Sequence, residues 1–131
     1  MKQYHKQSGL SLKSLVQSFK NAFRGLGLLA KYEYNLYIES FLGVVAILLG
    51  FIFHISRIEW LSLVIVIGLV IFAELTNTAV EKIMDFVQPE YDERVRDIKD
   101  LVAGSVVFTV IVAVAIGCII FIPKVLLLFL N

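Results

Sequence analysis

Uncharged apolar runs, separated by short polar breaks, organise this chain. Residues Ser40 to Ile55 hold no Asp, Glu, Lys or Arg, and the break Ser56-Arg57-Ile58-Glu59 follows them. A second uncharged run starts at Trp60 and is interrupted at Glu74. A third extends from Leu101 to Pro123 and continues past Lys124 as a very apolar tail. A bilayer core takes roughly 20 residues of helix. The third run meets that alone. The first needs Leu36 to Ile38 and a tolerated Glu39, and the second needs its helix to carry on through Glu74 into the membrane interface. The predicted spans are residues 36–55, 60–80 and 101–123. Because the runs are continuous rather than alternating, membrane β-strands are not expected.

Ahead of the first span the period changes. Leu12, Leu15, Val16, Phe19, Phe23 and Leu26 recur every three or four residues, while Lys13, Gln17, Lys20 and Arg24 line the other face. This spacing predicts an amphipathic helix within residues 1–31, lying in the headgroup layer or packing on the chain's own spans. Pro89 is the clear breaker between the second and third spans, ending one helix and letting another start near Glu90. No internal repeat or long linker interrupts the pattern, and residues 1–131 read as a single all-α integral-membrane domain.

Composition makes the membrane reading firm. Hydrophobic residues reach 59% and charged residues only 18% of the 131 positions, with a mean hydropathy of +0.85. A domain this small buries too little of its surface to hide that much apolar area, which excludes a soluble monomer and equally a disordered chain. A net charge of +1 offers no footprint for nucleic acid. The lone Cys118 precludes an intrachain disulfide and a zinc site.

Basic residues set the expected orientation. Lys2, Lys6, Lys13, Lys20, Arg24 and Lys31 precede the first span, and Lys82, Arg94, Arg96 and Lys99 lie between the second and third. Arg57 and Lys124 alone fall on the other side. The N-terminus and the segment around residues 81–100 should therefore be cytoplasmic and the C-terminus outside. A cleavable signal is not expected, since the basic N-terminus lacks an apolar core followed by small residues.

The candidate chemistry sits where the second run turns polar. Glu74, Asn77, Thr78, Glu81 and Asp85 fall at i, i+3, i+4, i+7 and i+11 and share one helical face. Any helix leaving a membrane must become polar, which accounts for Lys82 and Asp85. It accounts poorly for Glu74 and Asn77, because carboxylates near membrane depth are costly and mark function. Glu33 precedes the first span at the same interface and can meet Glu81. Carboxylates on neighbouring helices, without His or Cys, suit a hard cation such as Mg²⁺. His5 and His54 are expected on opposite sides of the membrane, which argues against a histidine site. Lys99-Asp100 stands just before the third span, where it could hold phosphate or simply anchor the helix. No Walker-type or protein-kinase motif occurs, and Gly25-Leu26-Gly27-Leu28-Leu29-Ala30 fits a dinucleotide fingerprint only formally, since no strand precedes it.

The run E-L-T-N-T-A-V-E-x-x-x-D at 74–85, with K-D-L-V-A-G-S-V-V at 99–107, resembles the small membrane-embedded prokaryotic diacylglycerol kinase family, its Gram-positive undecaprenol kinase branch above all. The likeness covers nearly the whole chain. It implies a homotrimer of three-span subunits in the bacterial inner membrane, with active sites shared between neighbours and Mg-ATP phosphorylating a lipid alcohol. By the same resemblance Glu74 is the base, Asn77 orders the site, and Glu33 and Glu81 bind the metal. Nucleotide contacts come from Asn21, Glu33, Glu81, Glu90, Tyr91, Asp92, Lys99 and Asp100, and lipid contacts from Glu74 and Ala103. Asn21 stands where the diacylglycerol-using branch has an aromatic residue, and Glu39 where related chains often differ. The implied product is undecaprenyl phosphate, with phosphatidic acid from diacylglycerol as the alternative.

Phosphoryl transfer asks a protein mainly to position reactants and neutralise charge, and a lipid hydroxyl resides at the interface where Glu74 is expected. Two readings of other classes compete. The polar face could be glue in a non-enzymatic membrane oligomer, or Glu74 and Glu81 could line a small cation or proton pathway. Against both, the acidic residues gather at one interface, and Leu61 to Phe72 offers no polar partner deeper in.

Overall fold

A computed structural model describes residues 11–130. The expectations for Lys2, His5 and Lys6 lie outside the described residues. Four helices follow in order: α1 (Leu12–Tyr32), α2 (Asn35–Ile52), α3 (Arg57–Val87) and α4 (Glu93–Leu130). Ser11 starts α1 with a capping box closed by Ser14, and Ser56 starts α3 with one closed by Glu59. Both caps supply acceptors for amide donors that a helix start leaves unpaired.

The helices differ in extent from the apolar runs that predict them. α2 ends early because the chain reverses within Phe53 to Ser56, with His54 in the left-handed region at φ 48°. α4 begins at Glu93, eight residues before its apolar run, since the charges from Glu93 to Lys99 are compatible with helix and only Pro89 is not. It also continues through Pro123 to Leu130. A proline costs one backbone bond and a clash, which membrane helices tolerate when neighbouring groups compensate.

α3 and α4 pack most extensively and run antiparallel, with α2 beside α3. At the end away from Glu74, Ile55, Leu63 and Ile120 form the buried core, with Trp60 and Phe121 against it. Lys124 closes that end by pairing with Glu59 at 2.9 Å. Outward surfaces are overwhelmingly apolar. Only 6% of the most apolar stretch of α2 and 11% of that of α4 is buried within the chain. α2, α3 and α4 are each long and apolar enough to cross a bilayer, and this is a membrane protein.

On α1 the amphipathic stripe stays at the surface of the chain. Leu12, Leu15, Val16, Phe19, Phe23 and Leu26 are all exposed, and only Leu29 near its end is buried. The stripe does not pack on the chain's own spans. Such an apolar face with a basic opposite face fits the headgroup layer.

Candidate active site at the polar end of the bundle

Three buried polar side chains, Glu74, Asn77 and Thr78, interrupt the otherwise apolar inner face of α3. They follow Leu63, Val66, Val70 and Ala73 on that face, so the helical period that buries the aliphatic residues also buries these three. Glu74 is 2% exposed.

Cross-helix contacts bring Glu33 to this face. Thr78 Oγ1 donates to Glu33 Oε1 at 2.7 Å and lies 2.9 Å from the Glu74 carbonyl oxygen. One turn on, Asn77 Nδ2 donates to Glu81 Oε1 at 3.2 Å. Glu33 is placed by the two-residue link between α1 and α2: its amide donates to the Leu29 carbonyl at 2.9 Å, and the Tyr37 hydroxyl donates to the Ala30 carbonyl at 2.8 Å. Thus Glu33, Glu74, Asn77 and Glu81 form one cluster, as the spacing and the shared interface predict.

Glu39 joins them, which the sequence reading treats only as tolerated in a span. Its carboxyl group lies close enough to that of Glu74 to interact directly. Even so, Glu39 Oε2, Glu74 Oε1 and Asn77 Oδ1 are buried without a hydrogen-bond donor. Buried acceptors left without donors are rare, and at such a density they mark a place where a donor or cation belongs. Glu39 and Ser40 also close the polar end of an apolar groove of about 430 Å³ between α2, α3 and α4, whose walls include Leu36, Gly43, Ile47, Val66, Val70 and Val114.

The chemistry of the donor set fits a hard divalent cation. Glu33 and Glu81 each commit Oε1 to an internal bond and keep a second oxygen. Among the described residues no group of three or more Asp, Glu, His or Cys side chains is arranged to hold a metal ion, so the chain supplies at most two carboxylates to one. Two carboxylates with room for other oxygens is the arrangement Mg²⁺ uses when water and phosphate complete its shell.

The remaining predicted residues are more dispersed. Lys99 pairs with Asp85 across the α3–α4 corner, a partner not anticipated for it. Asp92 caps the start of α4 through the backbone amide and guanidinium of Arg94, both at 2.8 Å. The Arg94 side chain, and then its amide, hold the Asp92 carboxyl down at about 2. Tyr91 is exposed, its hydroxyl accepting from Arg96 at 3.2 Å. Glu90 and Asp100 are exposed, and no hydrogen bond joins them to the carboxylates among the described residues. Asn21 is exposed on α1 and accepts from Gln17 at 3.2 Å, and Ala103 is exposed on α4. The structure therefore unites the carboxylate set and leaves Asn21, Glu90, Tyr91, Asp92, Lys99, Asp100 and Ala103 outside it.

An all-helical membrane protein with an acidic cluster where its longest helix pair turns polar is the class these features define. A model of the prokaryotic diacylglycerol kinase family matches residues 20–121, and the chain belongs to that family: it is a lipid kinase. It is 31% identical over 113 residues to an undecaprenol kinase of Bacillus subtilis, a match covering 86% of this chain and 92% of that protein. It is also 32% identical over 114 residues to a diacylglycerol kinase of Synechocystis sp., covering 86% of this chain and 65% of the relative.

Proposed function

We propose that this lipid kinase transfers the terminal phosphoryl group of ATP to the hydroxyl of undecaprenol, with the reaction at the carboxylate cluster. The observation that carries the reading is the place of Glu74: a buried carboxylate with an undonated oxygen, whose neighbour Glu39 lines an aliphatic groove. An isoprenoid chain has the chemistry to occupy that groove and leave its hydroxyl at the end where Glu39 and Glu74 stand.

Glu74 takes the hydroxyl proton as the oxygen attacks, which is general-base assistance at the acceptor. Asn77 holds Glu81, and Thr78 holds Glu33, so both carboxylates keep fixed directions. Glu33 and Glu81 would hold Mg²⁺, which when bound would supply neutralisation of phosphate charge. Lys99 spends one of its three donors on Asp85 and offers the others to phosphate. Asn21, Glu90, Tyr91, Asp92 and Asp100 surround the nucleotide, and Ala103 meets the lipid.

One chain offers too little wall for lipid, nucleotide and metal together, and its spans expose apolar faces. We take the active form as a homotrimer in the bacterial inner membrane, with neighbours completing each site. Native mass spectrometry finding a fully active monomer would refute this. The distribution of basic residues supports a cytoplasmic N-terminus and cluster with the C-terminus outside. A cytoplasm-only reporter fused after Asn131 that became active would reverse the assignment.

Diacylglycerol is the second reading, favoured by the Synechocystis relative. The deciding experiment supplies purified protein in nanodiscs with Mg-ATP and either undecaprenol or diacylglycerol, and follows phosphate transfer to lipid. Preferential phosphorylation of diacylglycerol would overturn the choice of acceptor. ATP hydrolysis with no lipid product would overturn the whole assignment.

A further inference from the structure

Glu33 hangs from the junction of α1 and α2 on extended backbone, φ −109° and ψ 107°. A single hydroxyl bond from Thr78 fixes one of its oxygens but not the peptide that carries it. Lys82 supplies a second grip. Its ammonium sits 3.9 Å from the centroid of the Tyr32 ring, well within the range where a cation is drawn to an aromatic face. Tyr32 is the last residue of α1, directly before Glu33, and Lys82 lies one helical turn beyond Thr78 on α3. Thus two side chains, one turn apart on α3, hold two consecutive residues at the end of α1.

We propose that Lys82, acting through the Tyr32 ring, is a positioning residue that holds Glu33 in place to bind its cation. The inference rests on the reading of Glu33 as a metal ligand made above. Lys82 is not a conventional surface lysine paired with acid: among the described residues it forms no ion pair, although Asp85 stands three positions on along the same helix. Lys31 also approaches the Tyr32 ring, at 5.7 Å, but it belongs to α1 itself and cannot tie α1 to α3. The neighbouring contacts agree, since Leu28, Leu29 and Tyr32 face Leu75, Thr78 and Lys82 across a cleft of about 260 Å³ between the two helices. Lys82 therefore acts on the metal site from outside it, touching neither nucleotide nor lipid.

The test uses Mn²⁺ with a non-hydrolysable ATP analogue, binding to the full-length protein in detergent being read from the loss of the free Mn²⁺ resonance. Lys82→Gln and Tyr32→Leu should each weaken Mn²⁺ binding by about two- to twenty-fold, the range a contact of this kind is worth. The double variant should be no worse than either single one. Lys82→Arg keeps the cation, Tyr32→Phe keeps the ring, and both should bind as the wild type does. In turnover assays the two disruptive variants should need more Mg²⁺ but reach the wild-type kcat at saturation, a split that general loss of structure would not produce. If Glu33→Gln weakens Mn²⁺ binding while Lys82→Gln and Tyr32→Leu leave it unchanged, the positioning role is refuted and the metal reading stands. If Glu33→Gln itself has no effect, both fall.

Discussion

The hydroxyl of Thr78 donates to the carboxylate of Glu33 across 45 residues of sequence, at 2.7 Å. This bond joins the start of the first span to the middle of the polar face of α3. A hydrogen bond to a charged group contributes about 1.5–3 kcal/mol, and Thr78→Val removes it at nearly constant volume. The variant should raise the Mg²⁺ concentration required for half-maximal turnover, and Thr78→Ser should restore it. An unchanged Mg²⁺ requirement in Thr78→Val would show that the bond does not position Glu33.

Glu74→Gln keeps the side chain's size and removes its capacity to accept a full proton. Turnover at saturating ATP and lipid should fall by about 10²–10⁴-fold, the usual worth of a general base. ATP binding should survive, because Glu33, Glu81 and Lys99 are untouched. A packing role predicts the reverse, since glutamine hydrogen-bonds well in a buried site. Near-wild-type turnover of the assembled variant would remove Glu74 from the chemistry.

Gly50 is the position where the backbone of α2 comes closest to the ring of Trp60. A Cβ added there would stand 2.8 Å from Trp60 Cη2 and 3.0 Å from Ile55 Cδ1. Gly50→Ala should therefore destabilise the protein by about 1–3 kcal/mol, as overpacking does, seen as a lower thermal midpoint in detergent. Combining it with Trp60→Leu should recover part of the loss. No change in midpoint would mean that the ring moves aside freely.

The α3–α4 corner should resist acid. The Asp92 carboxyl is held down at about 2 because Arg94 donates to it three times, from two guanidinium nitrogens and from its amide. A carboxylate whose folded pKa is depressed stabilises the fold above its unfolded pKa, and loses that contribution as pH falls through the folded value. The contribution is thus complete at neutral pH and disappears only as pH drops from about 4 toward 2. Arg94→Ala should move the Asp92 carboxyl resonance upward toward the ordinary range in an NMR titration. An unmoved midpoint would exclude Arg94 as the cause.

The polar face of α3 was legible because a helical period is local: Glu74, Asn77, Thr78 and Glu81 share a face whatever surrounds them. Glu33 could be added because both ends of the runs had to meet at one interface. Glu39 could not be read in the same way. Its carboxyl lies on α2 and becomes part of the cluster only through the packing of α2 beside α3. The same holds for Lys99, whose partner Asp85 comes from across a corner that sequence spacing does not describe. Helix ends were the least legible. Charged residues from Glu93 to Lys99 end an apolar run without ending a helix, and Pro123 fails to stop α4. The setting of α1 was not legible either, since an amphipathic pattern alone suits a lipid surface or a protein groove equally well.

The two ion pairs that close opposite ends of the α3–α4 hairpin make it a caliper for the bilayer. Glu59–Lys124 latches one end and Asp85–Lys99 the other, and the 26 residue steps of α3 from Glu59 to Asp85 measure about 39 Å. A hydrocarbon layer of about 30 Å fits between those latches with little to spare. Glu74 lies 15 residues from Glu59, about 22 Å along the axis, so the hairpin sets its distance from the Glu59–Lys124 latch as firmly as it sets the distance between the latches.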